Sequence, residues 1–223
     1  MAKIIDLSMP IKPHWRWRTE LIRRKAHERG DMFQASEFTI SCHGYTHVDA
    51  PVHFVPGGKS LDEIPLEAWI GEAVVVDLVH IGPEEAITAA ELEEHGQSVR
   101  GGDFVLLRTA WDARCDWETR EFWSRAPYLV RDGAEWLVGR SVSGVGFDFP
   151  SDYAVRDEVL SPGRRRRREE WAVHDVFLPR DVRVVEYLVN LGAITRERVQ
   201  LFIAPLKLEG ADGAPARVFA LEG

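Results

Sequence analysis

Ala73-Val-Val-Val-Asp-Leu-Val79 is β-branched and almost continuously apolar, the pattern of a strand covered on both faces. Asp103–Arg108 (DFVLLR) and Gly144–Phe147 (GVGF) read as further strands. Between the first two, Thr88-Ala-Ala-Glu91 is a capping-box start and Gly96 a stop, which places a short helix there. Helical stretches around Glu118–Arg125 and Asp132–Val138 precede Gly144. Strands and helices that alternate from 73 to 147 predict an α/β or mixed α+β sheet rather than separate layers.

Outward from this block, Lys3–Leu7 reads as an opening strand and Met32–Cys42 as another, with Phe33, Phe38, Ile40 and Cys42 among polar residues. His14–Gly30, basic and aromatic, fits either a short amphipathic helix or a mobile surface loop. Trp171–Phe177 has helical character, and Arg183–Tyr187, Val199–Ala204 and a segment near Ala216–Leu221 look like strands. The 223 residues contain no repeat and no Gly/Ser/Pro linker, so one domain spanning 1–223 is expected.

Composition narrows the function classes. Twenty-eight basic against 36 acidic residues give a net charge of −8, which argues against general nucleic-acid binding. No apolar run approaches the roughly 20 residues that cross a bilayer, and the first residues lack a signal-peptide core. Two cysteines, Cys42 and Cys115, supply neither a disulfide framework nor a Cys-rich zinc site. A cytoplasmic protein with reduced thiols is the expectation.

The chemistry concentrates in His43-Gly44-Tyr45-Thr46-His47-Val48-Asp49-Ala50-Pro51-Val52-His53. Four ligating or proton-carrying groups stand at even offsets, so an extended chain would point them to one face. At roughly 3.3 Å per residue, however, an offset of four already separates Cα atoms by about 13 Å, too far for one ion. A kinked loop leaving a strand satisfies all four best. Such a loop could hold a divalent cation and keep one further imidazole free to move protons. Any one histidine could equally cap a turn or sit satisfied in the core. The four-residue pattern favours a metal.

This stretch resembles the His-x-Gly-Thr-His-x-Asp-x-Pro-x-His signature of the cyclase-like metal hydrolases, which include bacterial kynurenine formamidase and isatin hydrolase. The likeness extends to Ile4-Ile5-Asp6-Leu7-Ser8, Leu107-Arg108-Thr109-Ala110-Trp111, Gly146-Phe147-Asp148-Phe149-Pro150-Ser151-Asp152 and Val185-Glu186-Tyr187-Leu188-Val189-Asn190-Leu191. The resemblance implies a single compact swivel-type α/β domain, a mixed central sheet or partial barrel flanked by helices, in a homodimer or higher homo-oligomer. It implies one or two divalent ions, Zn or Mn, held by His43, His47 and Asp49, with Asp49 bridging to a second position completed by His174 and Glu186. His53 would be the general acid/base, and a metal-bound hydroxide would attack a small-molecule amide. Lactone opening, cyclisation and non-catalytic metal or ligand binding are the alternatives.

Two departures from the family pattern stand out. Tyr45 replaces the motif's glycine, so the loop is reshaped or the ring enters the pocket. The stretch from Asp152 to His174 is long and carries Arg164–Arg168, which reads as a solvated loop because Glu169 and Glu170 follow it. Trp15, Tyr45 and Ser151 are candidate substrate-binding residues. For Trp15 and Trp17 a pocket role and a packing or dimer role are equally open, whereas Trp111, Trp117, Trp123, Trp136 and Trp171 are expected in the core or an interface.

Overall fold

The computed structural model describes residues 2–223. Its strands are β1 (Lys3–Asp6), β2 (Glu20–Lys25), β3 (Ala35–Thr39), β4 (His47–Asp49), β5 (Ile70–Asp77), β6 (Ala86–Ile87), β7 (Phe104–Arg108), β8 (Tyr128–Leu129), β9 (Gly144–Phe147), β10 (Arg183–Glu186), β11 (Arg198–Pro205) and β12 (Gly213–Glu222). The helices are α1 (Ala89–His95), α2 (Trp111–Arg114), α3 (Arg120–Ser124), α4 (Arg131–Gly139), α5 (Tyr153–Leu160) and α6 (Ala172–Phe177). Four strands run parallel in the order β5-β7-β9-β10. Antiparallel β4, β12 and β11 close them into a seven-stranded barrel.

Closure depends on the length of β12. Its first residues pair with β4, and Phe219–Glu222 pair with β1 along the same edge, while β11 occupies the other. The sheet is therefore α/β, as the alternation at 73–147 predicts, and the barrel is complete rather than partial. Alternation along β7 separates the two cores. Phe104 and Leu106 pack with Val48, Ala73, Val185, Leu201 and Val218 from around the barrel. Val105 and Leu107 pack with Leu92, Leu137, Val173 and Val176 from the helices. The glycines of β9 leave room for this filling: a Cβ on Gly144 would lie 2.6 Å from a Phe104 ring carbon.

Most predicted elements are present, and α1 has the expected Thr88 cap and Gly96 stop. The segment His14–Gly30 is a correction. It is neither helix nor loop throughout, because Glu20–Lys25 forms β2 and pairs with β3 as a separate two-stranded arm. The arm is solvated on both faces, with Leu21, Phe33 and Phe38 all exposed, so neither strand needs a sustained alternating pattern.

Asp148 anchors the turn that follows β9. Its buried carboxylate accepts the Thr109 and Ala110 backbone N–H groups at 2.8–3.0 Å and the Thr109 hydroxyl at 2.7 Å, tying the turns after β7 and β9 together. Burial pushes the carboxyl up to about 7 despite these donors. Asp148→Asn sets an NH2 against the same N–H groups and is expected to cost about 1–3 kcal/mol in urea unfolding at neutral pH. The folded protein keeps the Asp148 proton up to about pH 7, while the unfolded chain releases it near pH 4. Its contribution to stability is thus complete below about pH 4 and declines as pH rises to about 7. The wild-type advantage over Asn should therefore narrow between about pH 5 and 7; a constant gap contradicts the assignment.

Candidate metal centre

Three neighbouring strands deliver the buried cluster. Along β4, His47 and Asp49 share a face while Val48 turns into the barrel. Antiparallel β10 sets Glu186 opposite His47 and Val184 opposite Asp49. On the other side, β12 sets Gly213 opposite Asp49. A Cβ on Gly213 would lie 2.9 Å from His43 Cε1, so the absent side chain admits the imidazole. His43 enters from the turn before β4, His53 from the 3-10 turn Pro51–His53 and His174 from α6. The chain is thus kinked on both sides of a short strand, the geometry the spacing of the four residues demands.

Asp49 is the hub. Its Oδ1 lies 2.8 Å from His43 Nδ1 and 3.4 Å from His47 Nε2, and its Oδ2 lies 3.2 Å from His174 Nε2. Glu186 Oε2 is 3.5 Å from His47 Nε2. Burial opposes the charge on Asp49, yet the imidazoles of His174 and His43 hold its carboxyl well below the usual range. Burial likewise opposes protonation of His43 and His174. Asp49 and Asp212 nevertheless raise His43 to about 9, and Asp152 and Asp49 raise His174 well above its ordinary value. Protons on these rings supply the positive charge that the acidic groups require, and a cation would take their place. His53 differs: burial lowers its pKa, and Asp49 and Asp212 oppose that without reversing it.

The donor set fits a divalent cation. His47 Nδ1 faces the Tyr45 carbonyl at 2.8 Å and must carry a hydrogen there, so the neutral ring offers its lone pair at Nε2. Among the described residues, that Nε2 and Asp49 Oδ2 are sealed from solvent without a hydrogen bond. Buried polar atoms rarely stay without a hydrogen bond, and cations held at these two atoms would satisfy both. Ligand atoms of His47, Asp49 and Glu186 lie within 4.8 Å of one another, as do those of His43, Asp49 and His53. Imidazole and carboxylate ligands without thiolate suit Zn²⁺ or Mn²⁺.

All six residues assigned to metal or proton transfer thus come together. The candidate substrate residues are placed differently. Tyr45 keeps the glycine-like backbone path at φ 60°, and its ring leaves the ligands to pack 4.7 Å from Trp17. Its hydroxyl meets Thr19 Oγ1 at 2.9 Å and the Lys12 carbonyl. Ser151 is fully buried and donates to Glu186 Oε1. Trp15 is 43% exposed, donates to the Glu118 carbonyl at 2.7 Å and lies beneath Arg120, away from the cluster. The arginine run is matched internally by Asp157, Glu170 and Asp175. Arg165 and Arg167 are solvated as expected, whereas Arg168 stacks 5.2 Å from the Phe54 ring, itself 5.5 Å from the His174 ring.

Two carboxylates that the sequence reading left unassigned complete the surroundings. Asp152 accepts the Val173 N–H at 2.8 Å, capping the start of α6, and also accepts from His174 Nδ1. Asp212 Oδ2 lies 3.0 Å from His43 Nε2 and 3.5 Å from His53 Nδ1. Asp152 carried one usable signal, its place in the Pro-Ser-Asp segment. Asp212 carried none, being 169 residues from His43.

The Cyclase family model ("Putative cyclase") matches residues 5–152. The kynurenine formamidase of Bordetella petrii is 31% identical over 215 residues, which cover 96% of this chain and 88% of that one. A solved structure described as a potential metal-dependent hydrolase with cyclase activity superposes with a TM-score of 0.75 at 28% identity, over 100% of this chain and 99% of the other. Isatin hydrolase A from Ralstonia solanacearum superposes at 0.80 over 100% and 92% of the two chains, and at 23% identity this likeness shows the fold.

Asp152→Ala removes the partner of His174 Nδ1 while retaining all five candidate ligand side chains. It is expected to weaken metal binding about 10- to 100-fold in a calorimetric titration, with the far-ultraviolet circular dichroism preserved. Undiminished affinity would remove Asp152 from the metal site.

Proposed function

The chain belongs to the cyclase family, and from that premise we propose that it is a metal-dependent hydrolase cleaving the carbon–nitrogen bond of an aryl formamide or a cyclic amide. The observation that carries this reading is a pair of buried ligand atoms without a hydrogen bond, His47 Nε2 and Asp49 Oδ2, inside a five-residue His/carboxylate cluster. The names of its relatives, a kynurenine formamidase and an isatin hydrolase, supply the substrate class.

His43, His47 and Asp49 would hold one ion, and Asp49, His174 and Glu186 a second. This division is supported by Asp49 presenting Oδ1 to His43 and His47 and Oδ2 to His174. A divalent cation bound there would acidify water and polarise a carbonyl.

The protein's own groups do the rest. His53 lies at the rim, 28% of its side chain exposed and its ring 4.0 Å from that of His43, within reach of both the cluster and a substrate. With Nδ1 3.5 Å from Asp212 Oδ2, a ring carrying its hydrogen on that side would leave Nε2 free to take a proton from the attacking water and return it to the leaving nitrogen. Phe54 and Trp171, with rings 5.5 and 5.7 Å from that of His174, offer flat apolar walls for an aryl group. Ser151 fixes the Glu186 carboxylate instead of touching substrate. A second copy of the chain is the proposed partner, and the exposed Leu21, Phe33 and Phe38 of the β2–β3 arm are the surface it would cover.

Chelator-stripped protein is expected to lose turnover on a panel of aryl formamides and isatins and to regain it with Zn²⁺ or Mn²⁺. Full turnover by stripped protein, or turnover confined to lactones, would overturn the proposal. His53→Ala is expected to lower kcat by about 10²- to 10⁴-fold at unchanged metal content. An unchanged rate would remove the role given to His53.

A further inference from the structure

Outside the buried cluster, a second group of ligating side chains converges at the surface. His80 Nε2 lies 2.8 Å from Glu91 Oε2, and His95 Nε2 lies 3.8 Å from the same oxygen. The two imidazole rings are 4.4 Å apart between centroids, inclined at 36°. One carboxylate oxygen thus serves two rings that face each other, and one ligand atom from each residue lies within 4.8 Å of the others. Two atoms bound at about 2.0–2.2 Å to a tetrahedral ion are about 3.3–3.6 Å apart. The observed spacings fall on either side of that range, so small rotations about the side-chain bonds bring all three atoms onto one ion.

The backbone that carries these residues is fixed beforehand. Glu91 and His95 are one turn apart on α1, and Thr88 Oγ1 accepts the Glu91 N–H at the start of that helix. His80 comes from the turn after β5, where Ile81 donates to the Leu78 carbonyl at 3.0 Å. The Arg114 guanidinium clamps the same turn by donating to the Val79 and Ile81 carbonyls at 3.3 and 2.8 Å. The three side chains are each a third to a half exposed, so an ion arrives directly from solvent and retains open positions for water.

We propose that His80, Glu91 and His95 form a separate divalent-cation site that takes an imidazole-preferring metal of the Zn²⁺ class and ties α1 to the turn after β5. None of the three belongs to the buried cluster, so the site is independent of the hydrolytic reading. A bound ion joins two elements otherwise linked here by one hydrogen bond, and it stabilises the folded chain by mass action.

The test is equilibrium dialysis of metal-stripped wild type, His80→Ala and His95→Ala against ZnCl2, with thermal unfolding followed in parallel. Wild type is expected to bind one equivalent more than either variant, with a micromolar Kd for that equivalent. The variants are expected to retain wild-type turnover, and Zn²⁺ is expected to raise their Tm less than that of wild type. Equal stoichiometry in wild type and both variants overturns the proposal, as does a Kd for the extra equivalent weaker than about 1 mM.

Discussion

A carboxylate shut away from water is costly unless charge and hydrogen bonds compensate it, and Asp49 is such a group, 1% exposed on a three-residue strand. Three imidazoles surround it, arriving from the turn before β4, from β4 itself and from α6. The parallel β9–β10 pair and the long β12 exist on either side to hold that strand in register. The arrangement is only partly balanced without an ion, since two buried polar atoms stay without a hydrogen bond in the interior. The same imbalance that makes the cluster expensive as packing makes it serviceable as a metal centre.

Two tyrosines in left-handed backbone conformation shape the ligands around this hub. Tyr45 (φ 60°) stands two residues before His47, and Tyr187 (φ 59°) directly follows Glu186. Such conformations cost roughly 1–3 kcal/mol for a residue with a side chain. Neighbouring contacts offset the strain: both rings pack against Trp17, at 4.7 and 5.7 Å, and Thr46 Oγ1 donates to the Tyr187 carbonyl while accepting the Met9 N–H. The bend at Tyr45 directs its carbonyl at His47 Nδ1 and so fixes which nitrogen remains free. An aromatic cluster packed against the His47 ring, with Tyr187 5.1 Å from it, thereby helps to orient that imidazole.

Much of this was legible in the residues. The even spacing of His43, His47, Asp49 and His53 called for a kinked chain, and the structure kinks it on both sides of β4. The apolar runs at 73–79 and 103–108 announced the parallel strands because burial on both faces leaves a continuous signal. Of the β2–β3 arm only β3 was announced, within Met32–Cys42; β2 left no strand signal, as neither face of the arm enters a core. Barrel closure was equally hidden, resting on one strand that meets β4 and β1 along a single edge. Asp212 was one acid among 36, and only the pairing of β12 with β4 brings it to His43 and His53. Tyr45 looked like an obstacle in the sequence because its ring could not be placed. Hydrogen bonds to Thr19 and Lys12 direct that ring away from the ligands.

Anomalous X-ray scattering from crystals grown with Zn²⁺ or Mn²⁺ decides whether the Asp49 cluster is a metal centre. An anomalous peak is expected about 2.0–2.2 Å from His47 Nε2 and from a carboxylate oxygen of Asp49. Crystals in which this cluster carries no peak, although the metal is present in the solution, would contradict that assignment.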